Sequence, residues 1–367
     1  MIRLTCLFLV TMLVSDDTFG DESFLIFAPD RANQQLLSMT VSESGESVSI
    51  TQNKPLSLPF SPAGTTVHPN GNQLIVTAGG NGPSHAASIE VLKEGELRLI
   101  ASSKLNHPTG YTSIDRSGRY FMAAHYSTGA ISVYGIDNNG TVGDEAYSFQ
   151  TPNPEAHCIL TTPDNRFVYI PCVKNNNALF QYAFDEATGQ LSPLEPFNAM
   201  PPAMFGPRHV AYHPTLPIAY FSNEQQLGVS VYHIGTDGQL TDKQHATTFP
   251  RRSPFEQGKR DLQASDLVLT PDGKLLFVAL RDFGGNEDSV FAFRVETGGK
   301  LSHIGRTAVG DIPWKLDISP SGNYLIVRES GTNCFSVFKV QSDGSLNKAA
   351  SIALATGAND MSIMSLN

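Results

Sequence analysis

The chain has 367 residues, 40% of them apolar and 16% charged, with 31 glycines and 23 prolines. That is length for one large repeat-built domain or two or three ordinary ones, in a composition that excludes disorder and favours many turns. A formal net charge of −10, with no run of Lys or Arg, excludes a phosphate-tracking surface and with it nucleic acid or anionic lipid as partner.

The first twenty residues differ from the rest. Arg3 gives a short basic start, LTCLFLVTMLV (residues 4–14) is apolar, and Thr18-Phe19-Gly20 ends on small residues, which reads as a secretory signal peptide cut after Gly20. Asp16 and Asp17 close the apolar run at once, against a buried strand there. Eleven apolar residues are too few to span a hydrocarbon core, and no longer run follows, so stable membrane insertion is not expected. The mature chain, residues 21–367, is expected to be one periplasmic or secreted domain and a monomer; without a functional leader it would stay cytoplasmic. Cys6 leaves with the leader. Cys158, Cys172 and Cys334 are then an odd set without CxxC spacing, which suggests neither a disulfide framework nor a zinc site. Cys158 and Cys172 flank one turn and read as small buried hydrophobes.

Two elements alternate along the rest of the chain. The first is an apolar strand, a Gly turn and a Leu or Val: SESGESV, KEGEL, DNNGTV, ATGQL, TDGQL, TGGKL and SDGSL, with glycines at 45, 95, 140, 189, 238, 299 and 344. Strands such as AISVYGI, GVSVYHI and CFSVFKV precede them with apolar residues at alternate positions, so each pair is a hairpin whose Gly permits a positive φ. The second element is a turn before a strand apolar on both faces: HPNGNQLIV, DRSGRYFMA, TPDNRFVYI, HPTLPIAYF, TPDGKLLFV and SPSGNYLIV. Four strands at a period of about fifty residues predict propeller blades, and the chain after residue 20 holds seven. The first unit, SFLIF from Ser23, lacks an inner strand. The C-terminal TGANDMSIMSLN (356–367) can supply it, closing an all-β seven-bladed ring with strands from both termini and leaving no edge exposed. Two stacked sandwiches would need a boundary linker, and the sequence has none.

Inner strands line a propeller's channel, and counting from the second turn identifies its mouth. Eight residues before the turn stand Ala63, Gly110, His157, Arg208, Ser265 and Trp314; eight after it stand Gly79, Tyr126, Val173, Glu224, Arg281 and Ser330, with His125 one residue inside. Positions eight before and eight after are expected to face each other across the pair. His157, Arg208, Glu224 and Arg281 thus fall at one height in three consecutive units, as a ligand site or, for Arg208 and Glu224, as a structural ion pair. His209, His125, Tyr126 and Trp314 are expected to contact substrate beside them, whereas His68 and His213 open HP turns and read as structural. Two arginines can grip an anion and stabilise charge on an ester carbonyl, and Glu224 and His157 can serve as base and acid in either order. With no GxSxG and no HExxH, neither a serine hydrolase nor a zinc protease is indicated. Opening a lactone with water, without metal or cofactor, fits these groups.

The units EAHCILTTPDNRFVYIP, GPRHVAYHPTLPIAYFSNE and SDLVLTPDGKLLFVALR resemble the lactonase family of seven-bladed propellers, which includes bacterial 6-phosphogluconolactonase and the fungal carboxymuconate lactonising enzyme. The resemblance spans residues 24–367, and GPRH followed by NE is its most specific motif. It implies hydrolysis of a small anionic, sugar-acid lactone, with His157, Arg208, Glu224 and Arg281 matching the family's site residues. A lactonising isomerase and a non-catalytic exported propeller that binds a ligand or protein are the alternatives. Two positions depart from the family: Val268, where relatives often carry a histidine two residues after Asp266, and Trp314, where an arginine is frequent.

Overall fold

The computed structural model describes residues 22–79, 84–248, 261–354 and 356–366; the expected leader lies outside them. Seven antiparallel sheets follow one another around a ring. Blade 1 orders Ser362–Ser365, Ser23–Asp30, Gln35–Ser44 and Ser47–Gln52 from the channel outward, so the C-terminal strand is its innermost member, as the missing inner strand required. Phe24 pairs with Ser365 and Phe27 with Ser362, which seals the ring. Blades 2 to 7 each take four strands in chain order, their inner strands being Pro62–Val67, Tyr111–Ile114, Leu160–Thr161, Pro207–Tyr212, Leu262–Leu269 and Pro313–Ile318. Among the described residues the one helical element is a single turn, Lys93–Gly95.

Burial grades outward along each blade. Second strands such as Phe167–Cys172, Ile218–Asn223 and Leu275–Asp282 are buried at every position because sheets cover both their faces. Outer strands such as Leu301–Ala308 are mostly half-buried or exposed, with one face toward solvent. The core is therefore distributed: seven apolar clusters, each shared by two adjacent blades, replace a single centre. The cluster of Phe24, Ile26 and Met39 with Ile326, Phe335 and Val337 joins blade 7 to blade 1.

The hairpin glycines all have positive φ, and most show a second reason for glycine. A Cβ on Gly238 would lie 2.2 Å from the Phe167 ring of the preceding blade, and one on Gly299 would lie 2.7 Å from Ile218. The same close approach to the blade before holds at Gly95, Gly140, Gly189 and Gly344, but not at Gly45, where a Cβ would meet nothing within 4 Å. Tyr169 and Tyr220 fasten these contacts by donating their hydroxyls to the carbonyls of Gly238 and Gly299, at 2.7 and 3.0 Å.

Cys158 and Cys172 are free thiols with no solvent exposure. Burial pushes the Cys158 thiol up to about 12 and raises Cys172 too. In an Ellman titration of the native protein neither is expected to react, and both should appear once denaturant is added; reaction of either in the native state would contradict this packing.

Candidate active site

The inner strands bulge at the mouth. In blade 5, Pro207 pairs with Asn223 and Val210 with Phe221, so Arg208 and His209 together oppose Ser222, whose Oγ accepts the His209 N–H at 3.2 Å. Equivalent shifts fall at Ala63, at Ser265 and Asp266, and at Trp314. This corrects the expected register: Arg208 is not the cross-strand partner of Glu224, and Arg281 pairs with Gln263 rather than Ser265. The extra residue has a chemical effect, since successive side chains of a regular strand point to opposite faces. Here Arg208 and His209 both line one cavity.

That cavity holds about 250 Å³ at the mouth of the channel. Its wall includes His157, Arg208, His209, Trp314, Lys315 and Asp360, with Arg31 and Tyr111 from other blades. All of these come from one chain.

The four charged and imidazole residues expected from the sequence do come together, in two layers. Glu224, 4% exposed, places Oε2 3.1 Å from Arg208 Nε and 3.1 Å from Arg281 Nη2, while Oε1 accepts from Gln225 Nε2 at 2.9 Å. Arg281 also donates to Gln263 Oε1 at 3.0 Å. Neither Glu224 nor Arg281 is on the cavity wall. The ion pair anticipated for Arg208 and Glu224 is therefore real, and it is shared with Arg281 behind the wall. Burial first, then the neighbouring Arg208 charge, push the Arg281 guanidinium down to about 9, against the pull of Glu224. Trp314 covers this cationic layer, its ring centroid 4.5 Å from the Arg281 guanidinium carbon and 5.9 Å from that of Arg208.

His157 and His209 stand edge to face, ring centroids 5.0 Å apart. Burial drives the His157 pKa well below the usual imidazole value, helped by the Arg208 charge. His209 is pushed down to about 3 by burial and by Arg208, against the opposing pull of Asp266. Both are neutral near pH 7, as proton acceptors must be.

Tyr126 packs edge-on against His157, centroids 5.5 Å apart, with Lys174 Nζ over its ring, and is not part of the cavity wall. His125 is also off the wall and 1% exposed; its ring nitrogens lie 2.7 Å from the Pro108 carbonyl and 3.1 Å from Ser132 Oγ. A histidine satisfied on both nitrogens inside a blade packs the blade. His68 and His213 accept turn N–H groups at Nδ1, from Asn70 and from Thr215 and Leu216.

Sequence counting missed Asp266, Lys315, Tyr111, Asp360 and Arg31. Asp266 and Lys315 sit in or beside the bulges of blades 6 and 7, where the count slips by one, and their ion pair of 3.2 Å crosses between blades. Asp360 arrives in the segment that leads to the closing strand, and its Oδ2 accepts the Thr65 N–H at 2.7 Å. Among the described residues no group of three or more His, Cys, Asp or Glu is placed to hold a metal ion, and no helix is long and apolar enough to cross a membrane.

Comparison with known proteins agrees with the seven-bladed fold. The family described as "Lactonase, 7-bladed beta-propeller" matches residues 24–359. A 6-phosphogluconolactonase of Yersinia pestis is 29% identical over 262 residues, 71% of this chain and 75% of its own length. One from Pectobacterium carotovorum is 28% identical over 284 residues, 76% and 82% of the two chains. Among solved structures, the periplasmic gluconolactonase PpgL of Pseudomonas aeruginosa superposes with a TM-score of 0.80 at 20% identity, covering 94% of this chain and all of that one.

Proposed function

Because the chain belongs to the lactonase family of seven-bladed β-propellers, we propose that it hydrolyses a small anionic lactone, of the sugar-acid class, to the open hydroxy acid at the mouth cavity. The observation that carries this reading is Arg208: a guanidinium 1% exposed, on the cavity wall beside two neutral imidazoles, fixed through Nε by Glu224. Its η nitrogens can meet the lactone carbonyl as negative charge grows there, in surroundings drier than bulk water. Glu224 takes a different role from base or acid. With one oxygen held by two guanidinium groups and the other by Gln225, it orients the arginines and leaves proton transfer to the imidazoles. Arg281 supports Arg208 from behind, and Arg31 and Lys315 add positive charge on the wall for an anionic substituent.

The test is an assay of the purified protein on glucono-δ-lactone and on 6-phosphogluconolactone, with chelator present, against the spontaneous rate of each. Turnover above that background on at least one lactone, unchanged by chelator, is expected; saturable binding without turnover on either would instead favour a non-catalytic propeller. The apolar leader of residues 4–14 and the periplasmic designation of PpgL support export, which mass spectrometry of the mature N-terminus would check against the expected Asp21.

A further inference from the structure

We infer that His209, held in one tautomer by Asp266, takes the proton from the attacking water; this rests on the lactone-hydrolase reading above. Of the two imidazoles on the cavity wall, one is anchored. His157 Nδ1 is buried with no hydrogen-bond partner from another described residue, and only its own backbone bears on the ring, so no carboxylate fixes which nitrogen carries hydrogen. His209 Nδ1 lies 2.6 Å from Asp266 Oδ1. Asp266 in turn is surrounded by donors: Leu267 N–H at 3.0 Å also reaches Oδ1, while Leu316 N–H at 3.0 Å and Lys315 Nζ at 3.2 Å reach Oδ2. Burial works to raise the Asp266 pKa, but Lys315 and His209 hold it below the usual carboxylate range. An ionised carboxylate accepts from Nδ1–H and leaves the lone pair on Nε2.

The placement suits that division of labour. His209 is on the wall of the mouth cavity and Asp266 is not, so Asp266 is a positioning residue. Arg208 Nη1 lies 3.4 Å from His209 Nδ1 and 3.3 Å from Nε2. Near-equal approach to both nitrogens puts the guanidinium over the ring face, where it does not occupy the in-plane Nε2 lone pair. The groups facing His209 are Arg208 and Ser222 in its own blade, His157 from blade 4, Tyr111 from blade 3, Asp266 from blade 6 and Lys315 from blade 7. Burial is the main cause that depresses this imidazole, with Arg208 and Lys315 adding to it; negative charge that grows on the carbonyl oxygen beside Arg208 offsets the Arg208 part as the proton is taken up.

The reaction balances without a further reagent. Water oxygen bonds to the lactone carbonyl carbon as its proton passes to His209 Nε2, with negative charge collecting on the carbonyl oxygen near Arg208. The ring C–O bond then breaks, and the departing oxygen receives that proton, leaving the hydroxy acid and a neutral imidazole.

Imidazole ¹⁵N NMR and three variants test the inference. In the wild type, His209 is expected to show protonated Nδ1 and bare Nε2. In Asp266→Asn the new NH₂ must face a former partner of the carboxylate, and His209 alone among them can become an acceptor, so its tautomer inverts to Nε2–H. Both His209→Gln and Asp266→Asn should lower kcat by about 100-fold or more, with KM within about threefold, and His157→Gln should lose less than His209→Gln. A wild-type His209 protonated at Nε2, or a larger loss for His157→Gln, overturns the inference; the wild-type spectrum decides even where a variant fails to fold. Failure of the underlying reading looks different: the wild-type rate then equals the spontaneous one and no variant changes it, which sinks both.

Discussion

Replacing Arg208 with methionine is expected to lower kcat/KM for lactone hydrolysis by about 100- to 1,000-fold, the range seen when one donor to a developing oxyanion is removed. The size of the loss follows from the several contacts centred on one side chain. Arg208 lines the cavity, lies over the His209 ring and shares Glu224 Oε2 with Arg281. Methionine keeps most of the volume and removes every donor. Glu224 is then left with Arg281 and Gln225, so the buried carboxylate stays partly compensated, and the stability cost should be near the low end for a broken buried pair, about 3 kcal/mol. Lysine restores the charge without the fork and should recover part of the binding but little of kcat, because one ammonium cannot hold Glu224 and reach the carbonyl together. Initial rates well below the unfolding midpoint, read beside thermal melts, separate these effects. Rates within a factor of three of wild type for Arg208→Met would make the arginine a structural ion pair and remove it from the chemistry.

The largest expected loss of stability lies at Arg328. Its guanidinium is 1% exposed and donates to four acceptors, the carbonyls of Glu329, Cys334 and Ala358 and the Thr356 hydroxyl. Thr356 and Ala358 open the segment that runs past Asp360 into the closing strand, so one side chain ties blade 7 to the piece of chain that completes blade 1. Arg328→Met removes a donor from each of these four acceptors, leaving the Ala358 carbonyl only the Thr356 hydroxyl at 3.1 Å, at about 1 kcal/mol or more each, for about 3 to 5 kcal/mol in all. A fall in the unfolding midpoint of roughly 6–20 °C should be visible by calorimetry, on a scale of about 2–4 °C per kcal/mol. Gly357, Ala358, Asn359 and Asp360 also line the mouth cavity, so KM should rise in the same variant even at temperatures where it remains folded. An unchanged midpoint would show that blade packing alone holds the closing strand.

The architecture was readable because its signals are local and repeated. Each glycine hairpin and each Pro-Asp-Gly type of turn carries its backbone requirement in its own residues, and seven copies of the first and six of the second average out the ambiguity of any one. Ring closure was readable too, since SFLIF lacked a partner that only the C-terminal residues could supply. The site was half readable. Counting eight residues from a turn found Arg208, Glu224 and Arg281, which do form one ion-pair cluster, but it assumed that no strand carries an extra residue. The bulge at Arg208 and His209 breaks that assumption. It brings His209 to the cavity wall and lets Glu224 sit behind it, where the carboxylate holds two arginines. Asp266 and His209 are 57 positions apart on different blades, and no periodicity announces a pair of that kind. His125 stands off the wall for a simpler reason: one residue inside the counted position, its ring nitrogens are taken up by Pro108 and Ser132.

The abutting glycines of the hairpin turns have a consequence for where damage would show. A closed ring is a chain of tolerances: where a turn abuts the blade before it, it helps to set the wedge between the two, and the seven wedges must sum to a full circle. A side chain added at Gly238 or Gly299 opens one wedge against Phe167 or Ile218, yet the well-packed blades on either side can absorb little of the excess. The misfit travels around to the seam between Phe24–Phe27 and Ser362–Ser365, four residue pairs long, where the circle is joined by strand pairing instead of by continuous chain. Fraying at the termini would therefore report errors made half a ring away.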